Sequence, residues 1–384
     1  MRLLINALSV TNPSGAQVLR GHLQQATMNL SDRIQFFVLV RPDDQTLFRG
    51  MDDRLCWINA PPGTRHWLAR TLWERFFLTR LIRREQIDAY FTPSGIAASR
   101  IGIPQVVFCQ NPWAFIPAAQ RYRDRFKAWL QRRAYIRSMQ TAEAMAFNSH
   151  YMQSAYRRAA GHCEREGIIA AQAPDADTLK RAFVLPLEKR RPGQLICVSV
   201  MAPHKNVETV LKAVHQLKID QVHPLQMDLV GSWPNDAYRR KIDQLIKDLN
   251  LTEIVGIAGY VSREELETAY AQARVFVLMS RCESFGIPSI EAQAFGTPVI
   301  SSNVCAIPEV CGQGGIYFDP DDCDGVAAAL KRLLTDDAHW QEQSDRAQTN
   351  AAQYRWDNVS RPLVELLEGL CMTSRQVIDK VGPE

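Results

Sequence analysis

Residues 280–302 read Ser-Arg-Cys-Glu-Ser-Phe-Gly-Ile-Pro-Ser-Ile-Glu-Ala-Gln-Ala-Phe-Gly-Thr-Pro-Val-Ile-Ser-Ser. The apolar run before them, Val275–Met279, predicts a buried strand, and the Val-Ile pair near their end predicts another. Pro288 suits the first turn of a helix, because its missing N–H would have no partner there. A glycine eight residues later supplies a stop at the helix C-terminus. The stretch therefore predicts one short helix between two strands, preceded by a loop that contains Gly286.

The start of this predicted helix favours anionic or hydroxylated ligands, because backbone N–H groups and the positive end of a dipole meet there. Two carboxylates flank it, Glu283 in the loop and Glu291 in the first helical turn. A carboxylate accepts two hydrogen bonds, which suits neighbouring sugar hydroxyls. A glycosidase also uses two carboxylates, which must flank the scissile bond. The surrounding α/β pattern and Lys205 favour nucleotide-sugar binding instead.

The length of 384 residues predicts two domains. Strands alternate with helices in both halves, which predicts parallel sheets covered by helices on both faces. Proline and glycine cluster just before residue 194, so we expect a first domain over 1–190 and a second over 191–355. The remaining segment, 356–384, contains a helix and a polar tail. The fold class predicted is therefore α/β, with two Rossmann-like doubly wound domains and a substrate cleft between them.

Composition excludes several classes of protein. The formal net charge of +4 is too small to indicate nucleic-acid binding, and no apolar run is long enough to span a bilayer. The nine cysteines are odd in number and form no Cys-x-x-Cys pair, so neither a disulfide framework nor a zinc site is indicated. We expect a cytoplasmic protein with free thiols. The dinucleotide fingerprint is absent near the N-terminus, which argues against an NAD-dependent dehydrogenase.

The pattern Glu-x7-Glu around Phe-Gly-Ile-Pro, with the following Glu-Ala, Gly-Thr-Pro and Pro308-Glu309, resembles the signature of the family 4 retaining glycosyltransferases of the GT-B fold. The resemblance implies an acceptor-binding first domain and a nucleotide-sugar-binding second domain. It also implies that the helix in 356–384 crosses back to pack on the first domain.

The same resemblance assigns roles to the opening stretch. Glu291 is expected to bind the ribose hydroxyls, and Glu283 to lie against the donor sugar as a catalytic residue. The backbone of Phe285, Gly286 and Ile287 is expected to bind sugar hydroxyls. Gly286 allows this close approach because it has no Cβ.

Lys205 and Asn206 resemble a family segment in which an arginine and a lysine neutralise the donor diphosphate. The chain departs from that segment, because Val200 stands at the arginine position. Lys205 is therefore expected to supply more of the charge stabilisation, as a catalytic residue. The turn Gly259-Tyr260 resembles the family's nucleotide-base pocket, and a simple turn between strand and helix fits it equally well.

Two positions in the first half are expected near the acceptor or the diphosphate. Gly15 matches a family loop that lies over both, and a tight turn explains it equally well. Gln110 follows a predicted strand where many family members have a histidine. A glutamine hydrogen-bonds but does not act as a general base near neutral pH.

Residues 65–84 and 121–137 are rich in arginine and aromatic residues. Basic amphipathic helices lie on anionic lipid, so Arg70, Arg75 and Arg80 are expected to aid peripheral membrane association. The alternative is two surface helices that pack their aromatic side chains inward and leave the arginines in solvent. Both interpretations stay open at the level of sequence.

The sequence thus predicts a retaining glycosyltransferase that transfers a sugar, expected to be a hexose, from a nucleotide diphosphate sugar to a hydroxyl of a glycan or lipid-linked acceptor. Retention is implied by the resemblance alone. No cofactor, metal ligand set or nucleic-acid partner is expected. Two alternatives are a non-catalytic nucleotide-sugar-binding subunit, suggested by Val200, and a nucleotide-sugar epimerase.

Overall fold

The computed structural model describes the chain except for residues 12, 49, 52–54, 117–124, 162–166 and 381–384, and except for the side chains of 373–380. The chain forms two compact units. The first comprises described residues from Met1–Phe115, Arg121–Ala173 and Trp356–Glu384, and Pro174–Arg355 forms the body of the second.

The first unit is a parallel sheet of seven described strands in the order β3-β2-β1-β4-β5-β6-β7. Its strands are β1 (Arg2–Asn6), β2 (Gln35–Val40), β3 (Leu55–Asn59), β4 (Ala89–Thr92), β5 (Gln105–Cys109), β6 (Ala144–Phe147) and β7 (Ile168–Ile169). Its helices are α1 (Pro13–Leu30), α2 (Trp67–Arg84), α3 (Arg125–Thr141) and α4 (His150–Ala160). The central strands are apolar and buried on both faces, as parallel sheets require.

The second unit is a parallel sheet of six described strands in the order β10-β9-β8-β11-β12-β13. Its strands are β8 (Gln194–Val198), β9 (Gln226–Val230), β10 (Val255–Gly259), β11 (Val275–Leu278), β12 (Val299–Ser302) and β13 (Gly315–Phe318). Its helices are α5 (Ala176–Arg181), α6 (Val207–Ile219), α7 (Asp236–Asp248), α8 (Arg263–Gln272), α9 (Ile287–Ala294), α10 (Ile307–Cys311), α11 (Cys323–Thr335) and α12 (Asp337–Ala351). The prediction of two doubly wound α/β domains is confirmed.

Residues 174–190, which the sequence analysis placed in the first domain, pack with the second unit. The buried guanidinium of Arg190 explains this placement. It donates to the carbonyl oxygens of Phe295 (2.6 Å) and Ala273 (2.8 Å) and to the hydroxyl of Thr297 (2.8 Å). Burial lowers the pKa of Arg190 to about 10, so the side chain remains charged near neutral pH. Arg190 therefore fixes the segment to the turn that follows α9.

The C-terminal segment returns to the first unit as α13 (Trp356–Val359) and α14 (Arg361–Lys380). Trp356 packs edge-on against His22 of α1, with 5.1 Å between the ring centroids. The Nδ1 atom of His22 lies 2.9 Å from the hydroxyl of Ser360. A Cβ at Gly21 would lie only 2.3 Å from the Trp356 ring, so the glycine permits this close packing.

Gly15 was expected in a loop or a tight turn, and the structure places it in a helix. A 3-10 turn spans Ala7–Ser9, and α1 begins at Pro13. Gly15 therefore lies in the first turn of α1 rather than in a loop. Proline is favoured at a helix start because its fixed φ matches the helix, and Pro13 is the first residue of α1.

Candidate functional site

The candidate site lies at the carboxyl edge of the second sheet, where β8 and β11 are neighbouring parallel strands. Lys205 ends the 3-10 turn Pro203–Lys205 that follows β8. Glu283 lies in the loop between β11 and α9. Because the two strands are adjacent, the loops that follow them meet, as expected at the ligand-binding edge of such sheets.

Lys205 and Glu283, predicted from separate motifs, form an ion pair. The Nζ atom of Lys205 lies 2.5 Å from Oε1 of Glu283, and the side chains are only 14% and 11% exposed. The hydroxyl of Ser280 donates to the same oxygen at 2.9 Å. Burial, and then the charge of Lys205, lower the pKa of the neighbouring His204. The imidazole is therefore neutral near pH 7, and Lys205 supplies the positive charge.

The short helix predicted in residues 280–302 is confirmed as α9. Gly286 immediately precedes it with φ 102°, a left-handed conformation that favours glycine. Pro288 occupies the first turn, and Gly296 follows the last with φ 67°. The ring of Phe285 is buried and packs edge-on against Tyr354 at 5.8 Å. The N-terminus of α9 therefore lies next to the loop that carries Glu283.

Glu291 is buried, and both of its oxygens contact the protein. Arg263 lies 3.0 Å from Oε1, and the hydroxyl of Tyr270 donates to Oε2 at 3.0 Å. Burial raises the pKa of Glu291, although the charge of Arg263 opposes the shift. The sequence analysis identified neither Arg263 nor Tyr270. Both come from α8, and no spacing in the sequence connects α8 with Glu291.

The side chain of Asn206 holds the Lys205 loop in place through hydrogen bonds. Its φ is 53°, its Nδ2 donates to the carbonyl of Pro320 at 2.6 Å, and its Oδ1 accepts from Arg281 at 3.1 Å. Arg281 also forms an ion pair with Asp321. The buried Asn206 side chain thus holds the loop in place, whereas Val200 at the departing position is 57% exposed.

The predicted base-pocket residues lie at the end of β10. Gly259 has φ 69°, and its carbonyl accepts from the N–H of Gly231 at 2.6 Å. The side chain of Tyr260 is 87% exposed. The tyrosine ring is therefore accessible to a planar ligand at the same sheet edge as Lys205.

The two site residues predicted in the first half belong to the other unit. Gly15 lies in α1, as described above. Gln110 follows β5, where its Oε1 accepts from Gln172 at 3.3 Å and its Nε2 donates to the carbonyl of Pro93 at 3.5 Å. Gln110 is therefore oriented by two residues of its own unit.

Other groups in the second unit have structural explanations. Asp322 caps α11 by accepting from the N–H of Gly325 at 2.8 Å, as expected for a turn and helix start. A hydrogen bond with Cys305, together with burial, raises the pKa of Cys282, which remains a thiol.

Within the described residues, no three His, Cys, Asp or Glu side chains cluster as metal ligands would. Every described helix is too short or too polar to cross a bilayer.

Residues 182–354 match the model of the family described as glycosyl transferases group 1. This region of the chain is therefore similar to the group 1 glycosyltransferases. The match covers most of the second unit, including the Lys205–Glu283 pair and α9.

Curated relatives align with part of the chain. The chain is 33% identical to O-antigen chain mannosyltransferase B of Escherichia coli over 168 residues, 43% of each protein. It is 31% identical to the MMP alpha-(1->4)-mannosyltransferase of Mycolicibacterium hassiacum over 188 residues, 48% of this chain and 44% of the relative. The alignments therefore span less than half of those relatives' length.

Solved structures resemble the chain over nearly its whole length. Sucrose-phosphate synthase of Thermosynechococcus elongatus covers 97% of this chain and all of its own at TM-score 0.72 and 19% identity. Anabaena HepE in complex with UDP-glucose covers 96% of this chain and all of its own at TM-score 0.74 and 16% identity. The fold of the chain is therefore GT-B.

Proposed function

We propose that the protein is a retaining glycosyltransferase that transfers mannose from a nucleotide diphosphate sugar to a hydroxyl of a glycan or lipid-linked acceptor, in cell-surface polysaccharide or glycolipid synthesis. The observation that carries the proposal is the 2.5 Å contact between Lys205 and Glu283 beside the N-terminus of α9. Mannose is proposed because two relatives bear the name mannosyltransferase.

In the proposed reaction, the donor diphosphate lies against Lys205 and the N–H groups at the start of α9. These groups stabilise negative charge as it develops on the leaving phosphate. The acceptor oxygen forms a bond to the anomeric carbon on the face from which the diphosphate departs. The bond from that carbon to the phosphate oxygen breaks, and the hydroxyl proton passes to the departing phosphate.

Glu283 is proposed to orient the donor sugar. Its two oxygens accept hydrogen bonds from neighbouring sugar hydroxyls, while the Ser280 hydroxyl keeps Oε1 in position. Glu291 is proposed to hold the ribose hydroxyls, with Arg263 and Tyr270 fixing the orientation of the carboxylate. Tyr260 is proposed to cover the nucleotide base. No cofactor is needed in this scheme, because binding and charge stabilisation supply the chemistry.

The test is a measurement of nucleoside diphosphate release and sugar transfer by the purified protein with GDP-mannose, UDP-glucose and UDP-galactose. A donor that binds the native state raises the melting temperature, which identifies it before an acceptor is known. Lys205→Met and Glu283→Gln are expected to lower kcat by about 100-fold or more, since each removes a group that contacts the reacting centre. Lys247→Met, an exposed lysine of the same unit, is the matched control.

Four outcomes would contradict the proposal. Equal turnover by the wild type and both site variants would refute the residue assignment. Donor binding with transfer only in the presence of another protein would support the non-catalytic subunit instead. A changed donor sugar formed without any acceptor would support an epimerase. Loss of turnover on adding EDTA would refute metal-independent charge stabilisation by Lys205 and α9.

A further inference from the structure

The first unit contains a cavity of about 550 Å³ lined by α2, α3 and the carboxyl ends of β1 and β4. The residues that give it chemical character are Asn6, Trp67, Glu74, Arg75, Trp113 and Lys127. Neither Gly15 nor Gln110 lines it. The cavity is thus a separate feature from the first-half positions predicted from sequence.

The floor of the cavity holds a carboxylate in a fixed position. Nδ2 of the buried Asn6 donates to Oε1 of Glu74 at 2.8 Å and to the hydroxyl of Tyr90 at 2.7 Å. Asn6 is itself held through its Oδ1, which accepts from the N–H of Leu8 at 3.1 Å. Oε2 of Glu74 makes no hydrogen bond to the described residues. Glu74 therefore presents one oriented oxygen to donors inside the cavity, which suits hydroxyl groups.

Positive charge exceeds negative charge in the lining. Arg70, Arg75 and Lys127 line the cavity together with the single carboxylate of Glu74. Arg70 is committed to the protein, because its Nη1 donates to the carbonyl of Leu8 at 3.1 Å. Neither Arg75 nor Lys127 forms an ion pair within the described part of the chain, and both are exposed. The cavity therefore attracts an anion at its solvent side.

Two tryptophan side chains form part of the cavity wall. Trp67 begins α2 and Trp113 follows β5, and both line the cavity. The ammonium of Lys127 lies 5.7 Å from the centre of the Trp113 ring, which places the cation next to an aromatic surface. Apolar walls with a few oriented polar groups are characteristic of small-ligand sites. The flat rings suit the apolar face of a sugar, and the carboxylate suits its hydroxyl edge.

We propose that this cavity binds the acceptor, and that the acceptor is a sugar unit that carries a phosphate group. Glu74 accepts hydrogen bonds from the sugar hydroxyls, Trp67 and Trp113 cover the ring, and Arg75 and Lys127 bind the phosphate. This inference rests on the proposed function, because it identifies the substrate that would receive the sugar. It deepens that function by assigning a particular cavity of the first unit to the acceptor and a phosphate group to the acceptor's chemistry.

The first test measures binding of mannose 1-phosphate to the full-length protein by calorimetry. Arg75→Ala and Glu74→Gln are each expected to weaken binding about tenfold, since each removes a charge-assisted hydrogen bond. Arg75→Lys is expected to retain part of the affinity. Arg83→Ala is the matched control, because Arg83 is an exposed arginine of the same helix that does not line the cavity. Methyl α-mannoside, which lacks phosphate, is expected to bind the wild type and Arg75→Ala equally.

The second arm distinguishes a free sugar phosphate from a lipid headgroup. Vesicles of phosphatidylcholine with or without phosphatidylinositol are sedimented with the wild type, Glu74→Gln, Arg75→Ala and Arg83→Ala. Binding in either arm that depends on both Glu74 and Arg75 but not on Arg83 supports the proposal and identifies the source. Binding in neither arm, or binding that is insensitive to Glu74→Gln or to Arg75→Ala, overturns it.

Donor binding separates this inference from the proposed function. The rise in melting temperature caused by the donor is expected to be the same in Glu74→Gln, Arg75→Ala and the wild type, because these residues belong to the other unit from Lys205. Absence of donor binding by the wild type would contradict the proposed function. If Glu74→Gln does not fold, Arg75→Ala decides the outcome, since its side chain is exposed.

Discussion

Lys205 and Glu283 show which parts of the candidate site can be predicted from single residues. Each was predicted from its own motif, because each motif resembles a segment of the family that binds the donor. Their contact depends on β8 and β11 being neighbours, which is a property of the folded sheet. The Arg263 and Tyr270 contacts to Glu291 were missed for the same reason. A local motif can thus indicate that a residue belongs to the site, but it cannot indicate which distant residues contact it in the fold.

The Lys205–Glu283 pair is expected to contribute to stability as well as to binding. Removing one member of a shielded pair leaves an uncompensated charge, so Lys205→Met and Glu283→Gln should each lower the free energy of unfolding by about 2–3 kcal/mol. The double variant should lose much less than the sum, as urea unfolding would measure. Lys241→Met breaks the more exposed pair with Glu208 and should cost less than about 1 kcal/mol. If the double variant lost as much unfolding free energy as the two single variants together, the two side chains would not be coupled.

His22 should make stability depend on pH. Burial lowers its pKa from 6.5 to about 3, so the unfolded chain binds one more proton between those values. Stability therefore falls as the pH falls from about 6.5 towards 3, with a loss of about 2 kcal/mol between pH 7 and pH 5. His22→Gln should remove that part of the pH dependence in chemical unfolding at several pH values. Equal slopes for the variant and the wild type would show that His22 titrates normally.

At the level of elements, α2 and α3 test the expectation that the aromatic side chains of the basic segments pack inward. The inward-packing interpretation is wrong for several aromatic residues, since Phe76 is 65% and Phe126 is 70% exposed. Only part of the second segment can be assessed, because 121–124 lie outside the described residues. Periodicity could not settle this, since apolar residues occur on more than one face of each helix.

Exposed aromatic side chains beside arginines favour contact with anionic lipid. Replacement of Phe76 and Phe126 by serine should reduce co-sedimentation with vesicles containing phosphatidylglycerol, and added salt should weaken it further. Met28→Ser is the control, because Met28 is also exposed but lies on α1. Removing Arg75 and Arg80 should have a similar effect, whereas Arg70 is held by the Leu8 carbonyl. Sedimentation that is unchanged by all these variants would rule out membrane association through these helices.

The contact of α13 with α1 depends on one glycine. A Cβ at Gly21 would lie 2.3 Å from the Trp356 ring, so Gly21→Ala should lower the free energy of unfolding by about 1–3 kcal/mol through overpacking. Gly369→Ala in α14 meets no neighbour within 4 Å and should instead stabilise by about 0.5–1 kcal/mol. Thermal melting of the two variants would test the contrast. If both variants were more stable than the wild type, α13 would accommodate the added methyl group at position 21 without a loss of stability.

For the whole molecule, alternating strands and helices were sufficient to predict two parallel sheets, because local periodicity determines element type. The position of the division was harder to predict. Prolines and glycines suggested residue 190, but the second unit begins at Pro174. The contacts of Arg190 with Phe295 and Thr297 join positions more than a hundred residues apart. No local signal marks such long-range packing.

Arg190 also affects how this protein could be recombined with its relatives. A chimaera that joins a foreign first domain to this second domain at residue 191 would separate this guanidinium from the Phe295 and Ala273 carbonyls. Those buried acceptors would lose their donor at the turn directly after α9, the helix that begins beside Glu283. A junction placed before Pro174 keeps Arg190 with its acceptors. Exchange of the second unit between this protein and its relatives is therefore expected to give a folded protein with the earlier junction and to fail with the later one.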